Sequence, residues 1–513
     1  MNALKQLAET GQAPWLDFVQ RHLIREGELK TLIERDGLKG VTSNPSIFEK
    51  AIAGSKDYGD DLAAFLKQGD HGPMAVYEHL AIADIKAAAD VLLPVFKETE
   101  GRDGFISLEV SPYLANDTEA TIAEAKRLWK TVGKPNLMIK VPATPAGIPA
   151  IQALIGEGLS INVTLLFAVP VYEDVAKAYL AGLDHFAKQG GDVSKIASVA
   201  SFFVSRIDNL ADKQIQAKID SGDAALKRLL GKTAIANAKV AYATYKKLFS
   251  GKTWDVLAAK GARTQRLLWA STSVKNPAYP DTLYIETLIG RDTVNTIPPA
   301  TMDAFRDHGK VVPDAVEHDL PGARADLKAL KDAGISLEKI TEALVVDGVK
   351  QFADAFDKLL GAVAEKRAAS VSVNTASIEA DDALKTAIAT ARSQWLADGT
   401  IRRLWAGDRT VWTGKDEDKW LGWLDIVRHE HDHAGVLTGF AEAVKSGGFT
   451  HVVLLGMGGS SLGPEVLAKS FGHRSGWPRF HMLDSTDPAQ IRTLERKLDL
   501  KKTMFIVSSK SGS

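Results

Sequence analysis

Leu137-Met138-Ile139-Lys140-Val141-Pro142-Ala143-Thr144 sets one lysine inside an apolar run that a proline ends. Length and pattern predict a short buried strand with the lysine near its C-terminal end. A lysine is seldom fully buried without a partner or a chemical task. Low-dielectric surroundings disfavour an ammonium, and the neutral amine is a nucleophile near neutral pH. A lysine here could also snorkel its head to the strand end, or pair with a carboxylate. The octapeptide leaves these readings open, so the decision falls to the rest of the chain.

On either side, short apolar runs alternate with longer amphipathic stretches. Strands are expected at 15–19, 40–44, 105–110, 137–141, 161–167, 197–204, 266–270 and 282–287, with helices such as 119–131, 169–189 and 207–221 between them. Thr118 stands before the first of these helices as its expected N-cap. Alternation of this kind builds βα units on a parallel sheet. About eight repeats with polar residues at strand ends fit an α/β fold closed into a (β/α)₈ TIM barrel. Long helices are expected from 321 to 366, so the barrel domain is set at 1–366.

Ala368-Ala369-Ser370-Val371-Ser372-Val373-Asn374-Thr375-Ala376-Ser377 is small and polar without helical period, and 367–378 reads as a linker. In 379–513, a helix at 381–395 and a polar stretch at 406–419 precede strands at 451–455, 479–483 and 503–507. Helices at 464–471 and 488–498 alternate with those strands, as in half of an open α/β sheet.

The 513 residues suggest about three domains, although a barrel alone can use about 250. A net charge of −1 at pH 7 argues against general nucleic-acid or membrane-surface binding. With no cysteine, thiolate metal sites, disulfides and cysteine nucleophiles are excluded, and a cytoplasmic location fits. Residues 1–20 lack the basic start and apolar block of a signal peptide, and no run reaches the ~20 apolar residues of a membrane helix.

Each early strand ends in a residue able to do chemistry. Asp17, Asn44, Glu109 and Lys140 stand at or beside successive strand ends, while Asn162 and Thr164 share one face of the next strand. Any one could be a satisfied polar group inside a barrel. Together, an amine, two carboxylates and several amides and hydroxyls describe a Schiff-base site with acid and base groups. Ser201 and Phe203 lie on the following strand, and Arg206 opens a helix whose free N–H groups could share an anion with it. Arg206 could instead pair with Asp208. Ser271 and Lys275 end a later strand, where such barrels often hold phosphate.

From Thr42-Ser43-Asn44-Pro45 through Ile139-Lys140-Val141-Pro142 and Ile161-Asn162-Val163-Thr164 to Ser201, Arg206 and Ala270-Ser271, the chain resembles transaldolase over roughly its first 365 residues. The resemblance implies a barrel of the class I aldolase type in which Lys140 forms a Schiff base with a ketose phosphate. A three-carbon dihydroxyacetone unit then passes to an aldose phosphate, as between sedoheptulose 7-phosphate and glyceraldehyde 3-phosphate. It implies that Glu109 shuttles protons through a water held by Thr164. It further implies that Asp17 takes the substrate hydroxyl proton, and that Asn44, Asn162 and Ser201 hold dihydroxyacetone hydroxyls. Arg206, Ser271 and Lys275 would bind phosphate. The better-known branch has an arginine, differently spaced, where Lys275 serves here, and a lysine lacks the bidentate fork. Phe203 stands where relatives that use free dihydroxyacetone carry tyrosine, and a phenyl ring relays no proton. An iminium is its own electron sink, so the implied chemistry calls for no metal and no other cofactor.

His451-Val452-Val453-Leu454-Leu455-Gly456-Met457-Gly458-Gly459-Ser460-Ser461 reads as a strand and a glycine turn that matches neither GxGxxG nor a P-loop. With Phe505-Ile506-Val507-Ser508-Ser509-Lys510-Ser511-Gly512-Ser513 it resembles the opening third of glucose-6-phosphate isomerase, a partial sugar-isomerase (SIS-like) domain. Gly458, Gly459, Ser460 and Ser509 are its expected phosphosugar contacts. In that family the isomerising glutamate lies beyond the matched part, so no isomerase activity is expected from this polypeptide. His429-Glu430-His431-Asp432-His433 satisfies the HExxH pattern of zinc hydrolases, but no third ligand follows in context, and a solvated charged stretch at a helix end is the favoured reading, with no metal expected.

Overall fold

Lys140 sits on a strand, and the strand is one stave of a closed barrel. The computed structural model describes residues 2–69, 71–370 and 378–509. Eight parallel strands close in chain order: β1 Gln12–Leu16, β2 Gly40–Val41, β3 Phe105–Glu109, β4 Leu137–Pro142, β5 Ile161–Leu166, β6 Ser198–Phe203, β7 Arg266–Ala270 and β8 Thr293–Ile297. Closure runs from Gln12↔Thr293 to Leu16↔Ile297. Parallel strands covered on both faces are continuously apolar, which is why Ile106, Ile139, Val141, Val163 and Val199 are all fully buried.

Two sequence-based expectations are corrected. The stretch 282–287 is no strand, because it carries the helix Leu283–Glu286. Tyr284, Ile285, Leu288 and Ile289 are buried at four-residue spacing, a helical rather than an alternating rhythm. The eighth strand is Thr293-Val294-Asn295-Thr296-Ile297, whose polar residues pair inside the barrel. Gln12 donates to Thr293 at 2.9 Å, and Thr272 donates to Asn295 at 3.0 Å. The cap of the helix Thr118–Val132 is Asp117, whose carboxylate accepts from the Ala120 N–H at 3.0 Å. Thr118 instead donates to the Ala146 carbonyl at 2.7 Å.

The helix Leu337–Ser370 packs on the helix Pro45–Gly54, burying Phe352, Phe356, Leu359 and Val363. It extends past the expected domain limit at 366, and 371–377 of the expected linker lie outside the described residues. The first compact unit runs to Arg402. Arg402 ends it with ion pairs to Asp354 at 2.6 Å and Asp357 at 3.1 Å.

The second unit, Arg403–Ser513, holds a three-stranded parallel sheet in the order β10 (Arg479–Leu483), β9 (His451–Leu455), β11 (Thr503–Val507). These strands fall where the sequence predicts them. The unit exposes Leu462, Val466, Leu467, Phe471 and Val507.

Candidate active site

Register gathers the chemistry before any side chain is considered. Glu109 pairs with Lys140 across β3 and β4, and Lys140 pairs with Asn162 across β4 and β5. Register pairing on neighbouring parallel strands turns these three side chains to the same face of the sheet, the barrel interior. The Lys140 Nζ donates to Glu109 Oε2 at 3.0 Å and to the Ser43 carbonyl at 3.3 Å. Lys140 is 5% exposed, and the Phe352 ring lies with its centroid 5.4 Å from Nζ. Burial pushes the Glu109 carboxyl above its ordinary value, with the Lys140 ammonium acting against that and the Asp17 charge adding to it. The Lys140 Nζ thus stands 3.0 Å from a carboxyl whose burial favours its protonated form.

Around them the polar groups form a chain. Ser201 donates to Asn162 Oδ1 at 2.7 Å, and the Asn162 amide donates to Ser107 Oγ at 3.0 Å. Asn162 is wholly buried. Asp17 follows β1 and accepts from the Thr42 hydroxyl at 2.9 Å. Asn44 caps the helix Pro45–Gly54 through Oδ1, which accepts from the Ile47 N–H at 3.0 Å.

Beside these groups opens a cleft of about 1010 Å³. Asp17, Asn44, Lys140, Thr164, Ser201, Phe203, Arg206, Ser271 and Lys275 all line it, while Glu109 stands behind Lys140. Among the described residues, two buried polar atoms of residues lining it, Thr164 Oγ1 and Arg206 Nη1, have no hydrogen-bond partner. Buried polar groups are normally paired, so these two atoms leave hydrogen bonds for a ligand or water to make. Burial lowers the Arg206 pKa from its ordinary value, with the Asp347 and Asp17 carboxylates opposing it. The alternative pairing of Arg206 with Asp208 does not form, since Asp208 accepts from the Ala234 N–H and the Tyr284 hydroxyl.

Ser271 adopts φ +57°, a left-handed conformation that costs a non-glycine residue about 1–2 kcal/mol. Its hydroxyl lies 2.9 Å from that of Ser205, and its carbonyl accepts from the Ser205 N–H at 3.1 Å. Strain of this kind gathers at ligand sites. Sequence reasoning missed Ser43, Ser205, Asp347 and Phe352. Phe352 and Asp347 come from the last helix of the barrel, and their spacing resembles that of any amphipathic helix.

A buried lysine–carboxylate pair beside an open cleft in a closed eight-stranded barrel narrows the comparison. The family model for transaldolase/fructose-6-phosphate aldolase matches residues 14–363. The chain belongs to that family. The transaldolase of Trichodesmium erythraeum is 46% identical over 372 residues, spanning 71% of this chain and 97% of the relative. That of Thermobifida fusca is 48% identical over 366 residues, spanning 71% and 98%. That of Thiobacillus denitrificans is 46% identical over 363 residues, spanning 71% and 100%. A second family model, phosphoglucose isomerase, matches residues 426–512.

Within that second match, Gly458 has φ +60° and precedes the helix Gly459–Phe471, a turn open to glycine. A Cβ on Gly456 would lie 3.0 Å from the Ser508 carbonyl and 3.2 Å from that of Ser460. The glycine turn and the end of β11 are therefore adjacent. Gly458, Gly459 and Ser509 are exposed and Ser460 is half-buried, while 510–513 lie outside the described residues. The His429 and His433 rings stack 4.2 Å apart, and His433 Nδ1 lies 2.6 Å from the His429 carbonyl. Among the described residues no three potential ligands converge as a metal site.

Proposed function

We propose that the barrel transfers a three-carbon dihydroxyacetone unit between sugar phosphates through a Schiff base on Lys140, converting sedoheptulose 7-phosphate and glyceraldehyde 3-phosphate to erythrose 4-phosphate and fructose 6-phosphate. The observation that carries this is the buried Lys140–Glu109 pair at 3.0 Å under the cleft. Lys140 hands a proton to Glu109, and the neutral amine attacks the ketone carbon. Glu109 returns that proton to the carbinolamine hydroxyl, which leaves as water and yields the iminium. Asp17 takes the proton from the hydroxyl that becomes an aldehyde. The carbon–carbon bond breaks, and its electron pair flows into the iminium. An aldose phosphate departs, and the three-carbon enamine attacks the incoming aldehyde by the reverse steps.

Thr164 Oγ1, buried without a hydrogen-bond partner among the described residues, supports the reading that it holds the water used in forming and hydrolysing the imine. Asn44, Asn162 and Ser201 hold the dihydroxyacetone hydroxyls. Arg206, Ser271 and Lys275 hold phosphate, for which the orphaned Arg206 Nη1 is the support. Phe203, its ring 5.1 Å from that of Phe167, offers no proton to the enamine, which favours transfer over release. Gly458, Gly459, Ser460 and Ser509 contribute a secondary phosphosugar contact. Among the described residues no helix is long and apolar enough to cross a membrane, and a cytoplasmic location accords with a cysteine-free chain.

Borohydride reduction with fructose 6-phosphate, followed by peptide mapping, tests this reading. A three-carbon adduct on Lys140 is expected. No adduct, or one on another lysine, overturns it.

A further inference from the structure

The segment between β7 and β8 carries Ser271 and Lys275, and outside the helix Leu283–Glu286 it has no regular structure. Lys275 is exposed, and among the described residues it makes no hydrogen bond or ion pair. Whatever fixes its place over the cleft must therefore come from its neighbours in the chain. A turn in which the Tyr279 N–H donates to the Asn276 carbonyl at 3.1 Å ties it to Tyr279.

Tyr279 is anchored in turn. Its hydroxyl donates to Asp212 Oδ2 at 2.7 Å, and five residues on the Tyr284 hydroxyl donates to Asp208 Oδ2 at 2.9 Å. Asp208 and Asp212 are one helical turn apart on Ser205–Asp220, the helix whose second residue is Arg206. Each carboxylate binds a third segment as well. Asp208 Oδ1 accepts from the Ala234 N–H at 2.7 Å, and Asp212 Oδ1 accepts from the Gly231 N–H at 3.0 Å. The Tyr279 ring approaches Gly231 so closely that a Cβ there would lie 2.8 Å from its Cζ.

We propose that Tyr279 and Tyr284 are positioning residues for the phosphate grip: through Asp212 and Asp208 they lock the segment bearing Lys275 to the helix bearing Arg206, and so set the spacing that selects a phosphorylated substrate. The inference rests on the proposed assignment of Arg206, Ser271 and Lys275 to phosphate. A purely structural role for the two tyrosines would affect all substrates alike. A positioning role acts only where a phosphate spans the two cations.

The test is Tyr279→Phe, which removes one hydroxyl, with Asp212→Asn as a second variant of the same contact. Transfer from fructose 6-phosphate is measured to glyceraldehyde 3-phosphate and to unphosphorylated glyceraldehyde, and inorganic phosphate is titrated calorimetrically. In both variants KM for glyceraldehyde 3-phosphate should rise about 10-fold, the scale of a hydrogen bond to a charged group. Its kcat, and kcat/KM for glyceraldehyde, should stay at the wild-type values. Phosphate affinity should fall by a similar factor. Equal losses for both acceptors, unchanged KM, or unchanged phosphate affinity would overturn the inference. A wild-type chain with no three-carbon transfer would sink the proposed function instead, and the phosphate titration would then decide the positioning role alone.

Discussion

Asp208→Asn isolates one buried carboxyl. Asp208 is 1% exposed, and burial, with the Asp212 charge adding to it, pushes its pKa from 3.8 to about 7. The Ala234 N–H and the Tyr284 hydroxyl pull the other way. Because the folded value lies above the unfolded one, between about pH 4 and 7 the native chain keeps a proton that the unfolded chain releases. Stability is therefore fully present below the unfolded pKa and is lost as pH rises through the folded one. A rise from 3.8 to about 7, at about 1.4 kcal/mol per pH unit, makes that loss about 4 kcal/mol. Asparagine has the same shape, can still accept from the Ala234 N–H, and never ionises. The barrel of the Asp208→Asn variant should thus gain about 4 kcal/mol on the wild type between about pH 4 and pH 8. The two units need not unfold together, so the measurement is urea-dependent hydrogen exchange of the β6 and β7 peptides, compared at each pH. A wild-type-to-variant difference that stays constant across that range refutes the reasoning.

Three further outcomes follow from the site. Glu109→Gln keeps the shape but cannot cycle a proton with Lys140, so kcat should fall about 10²–10⁴-fold, with slower borohydride trapping in single-turnover experiments. Phe352→Leu removes the ring that steadies the Lys140 ammonium against the neutral amine that attacks; a cation–π contact of about 0.5–2 kcal/mol predicts imine formation about 2- to 30-fold faster, while Phe352→Trp retains the wild-type rate. Arg206→Ala should raise KM for fructose 6-phosphate about 10- to 100-fold, as loss of a charge-assisted contact does, while the Lys140 adduct still forms at saturating substrate.

Much of this barrel was legible because its strands are buried on both faces. An apolar run such as Leu137–Pro142, cut off by its proline, declares itself from local sequence, and the polar residue at its end is then conspicuous. Local pattern also placed β9, β10 and β11. It failed at 282–287, where β-branched and aromatic residues obey a helical rhythm. It failed again at β8, whose Thr293 and Asn295 are satisfied by Gln12 and Thr272, partners 281 and 23 residues away along the chain. Polarity inside a strand looks like a loop until those partners are in view.

The sequence by itself determined the chemistry on offer: one lysine in a buried strand, carboxylates and amides at neighbouring strand ends, and an arginine at a helix start. Each of these is written in the period and composition of a few consecutive residues. Only the tertiary structure decided that Glu109 lies 3.0 Å from Lys140, that Phe352 flanks the amine, and that two tyrosines tie the Lys275 segment to the Arg206 helix. The reason is range. Register between strands and packing of a distant helix bring together residues tens to hundreds of positions apart, and no local period records which ones will meet.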